Sequence, residues 1–165
     1  MRDKKFVINY IEYDSMAEMS PEDRELLNKA IDALKGSYAP YSLFNVGAAV
    51  RLSDGTVVLG SNQENIAYPS GLCAESTAIF SAHAQYPEQN IKAIAIISAQ
   101  NGKLSREPVS PCGACRQVMA ESQKRSGSPI EIILGSSEKI LKFNSVEGVL
   151  PLIFDSEEVK GNKKK

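Results

Sequence analysis

The chain has 165 residues, a formal net charge of −1 and a pI of about 5.9. That balance speaks against a nucleic-acid partner, which would call for a basic excess or stripe. The longest apolar run, "AIAII" at 93–97, is far too short to cross a membrane. At 42% hydrophobic and 24% charged, the chain is expected to fold as one domain, residues 1–165, around one core.

The first residues, "MRDKKFVINYIEYD", lack the apolar stretch and cleavage site of a signal peptide, so a cytoplasmic location is expected. Residues 5–13 alternate loosely and carry β-branched and aromatic side chains, which predicts an edge strand. Ser20 can cap a helix that Pro21 opens, with Asp23 at the capping-acid position. Leu26, Leu27, Ala30, Ile31 and Leu34 share a face of that helix, and Gly36 ends it. Residues 44–62 read as a hairpin turning at Asp54-Gly55. Residues 73–84 are helical, and 91–99 form a strand buried on both faces. A further helix follows over 112–124, with strands at 130–135 and 139–143. Strands and helices alternate after the hairpin. The expected fold is therefore α/β, a three-layer α/β/α sandwich with a mixed central sheet. The lysine-rich end, within 156–165, reads as a solvated, disordered tail rather than a phosphate-binding arm.

All three cysteines fall in two short stretches, "CAE" at 73–75 and "PCGACRQ" at 111–117. Three thiols cannot pair off within one chain, and in a reducing compartment such spacing points to metal or catalysis. Cys112 and Cys115 are three apart at the start of a helix, so they share a face. Cys73 opens another helix. Helix N-termini favour the thiolate form. Three thiolates suit zinc and leave its fourth position open, as in catalytic zinc sites. The one histidine, His83, lies about three turns beyond Cys73 and reads as a core or surface residue rather than a ligand. Glu75, two residues after Cys73, can serve as acid and base to a water at the open position. Its plainer reading is electrostatic support of the helix N-terminus.

"CAE" followed by "PCGACRQ" resembles the short, three-cysteine cytidine deaminases, whose zinc pattern joins a ligand-x-Glu to a Pro-Cys-x-x-Cys. The resemblance extends over roughly residues 20–154 and includes "YAPYS", "FNVGAA" and "GSNQENIAYPSGLCAE". Residues 1–19 form an N-terminal extension outside it. It implies one Zn2+ per chain held by Cys73, Cys112 and Cys115, with Glu75 as the acid and base. It implies that Asn62 and Glu64 hold the ribose, and that Phe44 packs beside the pyrimidine. The Ala74 N–H would hold the base carbonyl and the Ser110 carbonyl the amino group. Tyr68 and Phe154 would serve neighbouring subunits of a homo-oligomer, most simply a homotetramer. A carboxylate at position 64 suits a hydroxyl and repels a phosphate, so the expected substrate is a nucleoside.

The chain departs from the family at Ser76, where an arginine often follows the catalytic glutamate. The charge of three thiolates would then rest on Arg116, two helix N-termini and the Ser76 hydroxyl. The implied reaction is hydrolytic deamination of cytidine and 2′-deoxycytidine in pyrimidine salvage. Its rivals are deamination of a nucleoside antibiotic of the blasticidin S type, deamination of a polynucleotide, and a non-catalytic zinc-stabilised binding module.

Overall fold

A computed structural model describes residues 1–155; the tail expected over 156–165 lies outside them. The strands are β1 (Ile11–Tyr13), β2 (Phe44–Leu52), β3 (Val57–Ser61), β4 (Ile91–Gln100), β5 (Lys103–Leu104), β6 (Glu131–Gly135) and β7 (Ile140–Phe143). The helices are α1 (Pro21–Ala33), α2 (Ala74–Gln85) and α3 (Gly113–Ser126). The sheet runs β1-β7-β6-β4-β2-β3, with β5 paired to the end of β4. β4 and β6 are parallel, joined through α3, while β2–β3, β2–β4, β6–β7 and β1–β7 are antiparallel. The sheet is therefore mixed, as the sequence pattern requires.

Period-two alternation divides the strands between two cores. Ala49, Ala93, Ala95, Ile97 and Ile133 meet Leu26, Leu27 and Ala30 of α1 on one face. Ala48, Val50, Ile94, Ile96, Ile132 and Leu134 meet α2 and α3 on the other. Residues 93–99 of β4 are buried throughout, which is why that strand reads as continuously apolar. This is the expected three-layer sandwich. It sets α2 and α3 side by side over one face, where their N-termini can converge.

The local signals explain the boundaries. Ser20 Oγ accepts a hydrogen bond from the Asp23 N–H at 3.2 Å, with Pro21 at the first helical position. Gly127, at φ +63°, ends α3 in the left-handed region that favours glycine. The edge strand is shorter than the expected 5–13. Its partner β7 has only four residues, and Ile11 already pairs with Lys142, next to the last of them. Beyond this point Tyr10 only stacks on Phe143, with ring centroids 5.6 Å apart.

A charged cluster ties α1 to the sheet. The buried Asp23 carboxylate accepts from Arg51 Nη2 at 3.1 Å and from Lys142 Nζ at 2.6 Å. Glu131 stands 2.9 Å from Lys142 and 3.6 Å from Arg51. Burial pushes the Asp23 carboxyl up, but the bonds and charge of Lys142, then the Arg51 bond, outweigh it and hold the carboxyl below its ordinary value. A lowered folded-state pKa gives stability that is present above the unfolded value, about 3.9, and is lost as pH falls through the folded value. Asp23→Asn is expected to cost roughly 3 kcal/mol at pH 7, because it removes a buried carboxylate and leaves the half-buried Arg51 and Lys142 short of a partner. The gap from wild type should narrow as pH falls below about 4 toward the lowered folded value, because only the wild type has a carboxylate to lose. Urea denaturation at pH 7 and at pH 3 measures both; an equal gap at the two would refute the ionic role.

Candidate zinc site and the adjoining cavity

Two helix starts build the thiol cluster. Cys73 caps α2 and Cys112 caps α3, each in extended backbone just before the first turn, while Cys115 lies within the first turn of α3. The three Sγ atoms all lie within 4.8 Å of one another, and Cys73 Sγ is 3.8 Å from Cys112 Sγ. Thiolates on a tetrahedral zinc at about 2.3 Å stand about 3.8 Å apart, so the donor set and its spacing fit that ion. Cys115 is buried, whereas Cys73 and Cys112 are exposed. A hydrogen bond from Cys115 draws the Cys73 thiol below its ordinary value, and the same bond, with burial, pushes Cys115 up.

The approach of α2 to the sheet depends on Gly60 of β3. A Cβ there would sit 2.4 Å from the Ala74 carbonyl and from the Ala78 N–H, so only glycine lets the first turn of α2 lie flat on the strand. Gly60 thus sets the depth at which Cys73 and Glu75 stand. The sequence pattern showed it only as part of a hairpin; two alanines, 74 and 78, on the facing helix were the signal.

Glu75 follows in the first turn of α2 and is 5% exposed. Burial pushes its carboxyl above the ordinary range, against smaller lowering contributions from its own backbone N–H and from Cys115. Ala74 is buried, and Ser110 is exposed in the loop before Pro111. Ser76 is buried with its hydroxyl 3.5 Å from Cys115 Sγ. Arg116 does not spend its bonds on sulfur. Its Nε donates to the Pro111 carbonyl and its Nη1 to the Val149 carbonyl, both at 2.8 Å. A helical side chain leans toward its own N-terminus, which carries Arg116 back over the Pro111 loop. Arg116 thus ties α3 to the loop that bears Ser110 and to Val149, while the Ser76 hydroxyl is the group that stands beside Cys115 Sγ.

His83 lies in the last turn of α2, away from the thiols, with Nε2 2.8 Å from Ser122 Oγ. Beside Cys73 opens a cavity of about 520 Å³, within the range of small-ligand sites, lined by Tyr41, Asn62, Glu64, Tyr68 and Leu72. Glu64 Oε2 accepts from the backbone N–H groups of Tyr41 at 2.9 Å and Ser42 at 3.2 Å. Hydrogen bonding from Ser42 and then Tyr41 holds this carboxyl below its ordinary value, so it is a fixed anion at the cavity wall. Asn62 shares the wall, but its amide also braces the chain: Oδ1 accepts from the Val46 N–H at 2.8 Å and Nδ2 donates to the Phe44 carbonyl at 2.9 Å. One amide N–H remains for a ligand. Phe44 is half-buried at the head of β2 and is not among the cavity-lining residues.

Tyr68 stacks edge-on against Tyr41, with centroids 6.1 Å apart, and is 74% exposed. Phe154 is 71% exposed and lies apart from this cavity, over a larger groove of about 890 Å³ between α2 and α3. None of the thiols lines that groove.

Residues 20–127 match the family model for the cytidine and deoxycytidylate deaminase zinc-binding region. A cytidine deaminase of Halalkalibacterium halodurans is 40% identical over 138 residues, which are 83% of this chain and 98% of that protein. One from Sporosarcina psychrophila is 38% identical over 135 residues, 82% of this chain and 93% of that protein. Among solved structures, cytidine deaminase from Burkholderia pseudomallei superposes with a TM-score of 0.67 at 36% identity, over 82% of this chain and all of that one. The sulfur triad, the glutamate in the first turn of α2 and these matches together place the chain in the cytidine and deoxycytidylate deaminase family.

Proposed function

We propose that the protein hydrolyses cytidine and 2′-deoxycytidine to uridine or 2′-deoxyuridine and ammonia, working in the cytoplasm in pyrimidine salvage. The observation that carries this reading is the three-sulfur cluster with Glu75 beside it, opening toward a cavity with a fixed anion, Glu64. Zinc held by Cys73, Cys112 and Cys115 would supply a Lewis acid that lowers the pKa of a water toward about 7.

The chain's own groups do the rest. Glu75 takes a proton from the attacking water and delivers it to N3 of the ring. It then takes the proton of the hydroxyl now on C4 and passes it to the departing amino group, as the C4–N bond breaks and the C4 carbonyl forms. A carboxyl raised by burial suits this shuttling, because its protonated form is accessible between steps. The Ala74 N–H holds the base carbonyl. The Ser110 carbonyl accepts from the amino group, in a loop that Arg116 fixes through Pro111. The Ser76 hydroxyl donates to the Cys115 thiolate and relieves part of its charge.

Glu64 selects the sugar. Its ionised carboxylate accepts from the 3′-hydroxyl, with Asn62 beside it, and disfavours a nucleotide phosphate. Glu64→Gln is expected to lower kcat/KM for cytidine roughly tenfold to a hundredfold, and to matter far less for a 3′-deoxy analogue. Equal losses on the two would remove the ribose role. The family resemblance further implies a homotetramer with sites completed by neighbours, and the exposed Tyr68 and Phe154 suit that role. A panel of cytidine, 2′-deoxycytidine, deoxycytidylate and blasticidin S, followed by ammonia release, tests the reading. Turnover confined to the last two would overturn it.

A further inference from the structure

The segment before α1 precedes the family match, which begins at residue 20, and it carries a pattern that the catalytic reading does not use. β1 is the terminal strand of the sheet, so its outer edge has no strand partner among the described residues. Phe6, Val7, Ile8, Tyr10 and Ile11 are between 44% and 79% exposed. An apolar, β-prone edge of this kind is normally covered or blunted by charge. Here the flanking charges are net opposite in sign: Arg2, Asp3, Lys4 and Lys5 before, Glu12 and Asp14 after.

We propose that this segment pairs antiparallel with the same segment of a second copy, across a two-fold axis at Ile8. In strands, alternate residues direct their backbone groups to one edge, so two identical edges can meet only with residues of like parity opposite each other. With Ile8 on the axis, Phe6 faces Tyr10 of the partner subunit and Lys4 faces Glu12 of the partner subunit. Arg2 then faces Asp14 of the partner subunit. The symmetry repeats each contact, so two charge pairs and the apolar centre are matched at once, while Asp3 faces Tyr13 of the partner subunit and Lys5 faces Ile11 of the partner subunit. Moving the axis to Val7 keeps only the Arg2–Glu12 pair. Moving it to Asn9 keeps only Lys4–Asp14 and sets Phe6 against Glu12.

The side-chain faces agree with the sheet. Tyr13 packs against the α1-side core, which places the odd-numbered residues there. Tyr10 stacks on Phe143 of the opposite core, so in the paired strand Phe6 and Ile8 would continue along that face. Pairing also supplies what β7 cannot, a strand long enough to partner residues 4–10.

The test uses the full-length, zinc-loaded protein with Ile8→Cys, which sets two thiols opposite each other at the axis. Mild oxidation with oxidised glutathione joins them as a disulfide and reduces the glutathione. Covalent dimer is read by intact mass, against wild type as the background for the native cysteines. The expected result is rapid dimer formation in Ile8→Cys. Adding Lys4→Glu or Glu12→Lys should slow it roughly tenfold, and adding both should restore it, since the swap recreates the complementary ends. Cross-linking no faster than wild type overturns the proposal. So does cross-linking indifferent to the charge reversals, or a double swap that fails to restore it.

Discussion

Glu75→Gln should keep its fold and its zinc and lose turnover by about 10⁴-fold. The substitution preserves size in a buried position, so packing in the first turn of α2 is undisturbed. An amide cannot take a proton from water or return one to N3, and the same group serves both steps. The loss should appear in kcat and in kcat/KM alike, because the proton transfers belong to the transition states. Zinc content per chain, measured alongside, separates a missing proton carrier from a missing metal. Turnover within tenfold of wild type at full zinc occupancy would show that another group moves the protons.

The second large effect concerns the ligands. Cys112→Ala/Cys115→Ala leaves Cys73 as the one thiol of the cluster, and zinc and activity should vanish together. The single variants should show the same coupling, with activity tracking residual zinc. Cys115 is buried and Cys112 is not, so Cys115→Ala should also loosen the packing of α3 on the sheet. An ion held only by the folded chain raises its stability, so wild type should melt higher with zinc than after chelation, and the double variant should show no such difference. Full zinc occupancy in the double variant would refute the ligand assignment.

Much of this was legible because the signals are local. Cys112 and Cys115 fall three apart at a helix start, and that spacing alone sets them on one face. Asp54-Gly55 marked the hairpin, and Ser20-Pro21 marked the first helix. The strands' two-sided burial followed from the unbroken apolar run in β4. What was not legible depends on partners distant in the chain. The length of β1 is set by β7, where Ile11 pairs with Lys142, 131 residues on, at the corner that the Asp23–Lys142 contact also anchors. Arg116 reads as a cation beside thiolates, yet its bonds go to Pro111 and to Val149, 33 residues on. Asn62 is expected to hold the ribose, yet most of its amide is spent on bracing Phe44 and Val46. In each case the residue type was informative about chemistry, but the geometry came from a long-range contact.

The central claim is that a zinc ion on three thiolates, served by Glu75, deaminates cytidine. The most direct measurement is the conversion of cytidine to uridine by chelated protein, with zinc then returned in steps. The account predicts no turnover in the metal-free protein, and recovery in proportion to zinc that saturates at one ion per chain, with one ammonia released for each uridine formed. Turnover by metal-free protein, or none on cytidine and 2′-deoxycytidine at full zinc occupancy, would contradict it.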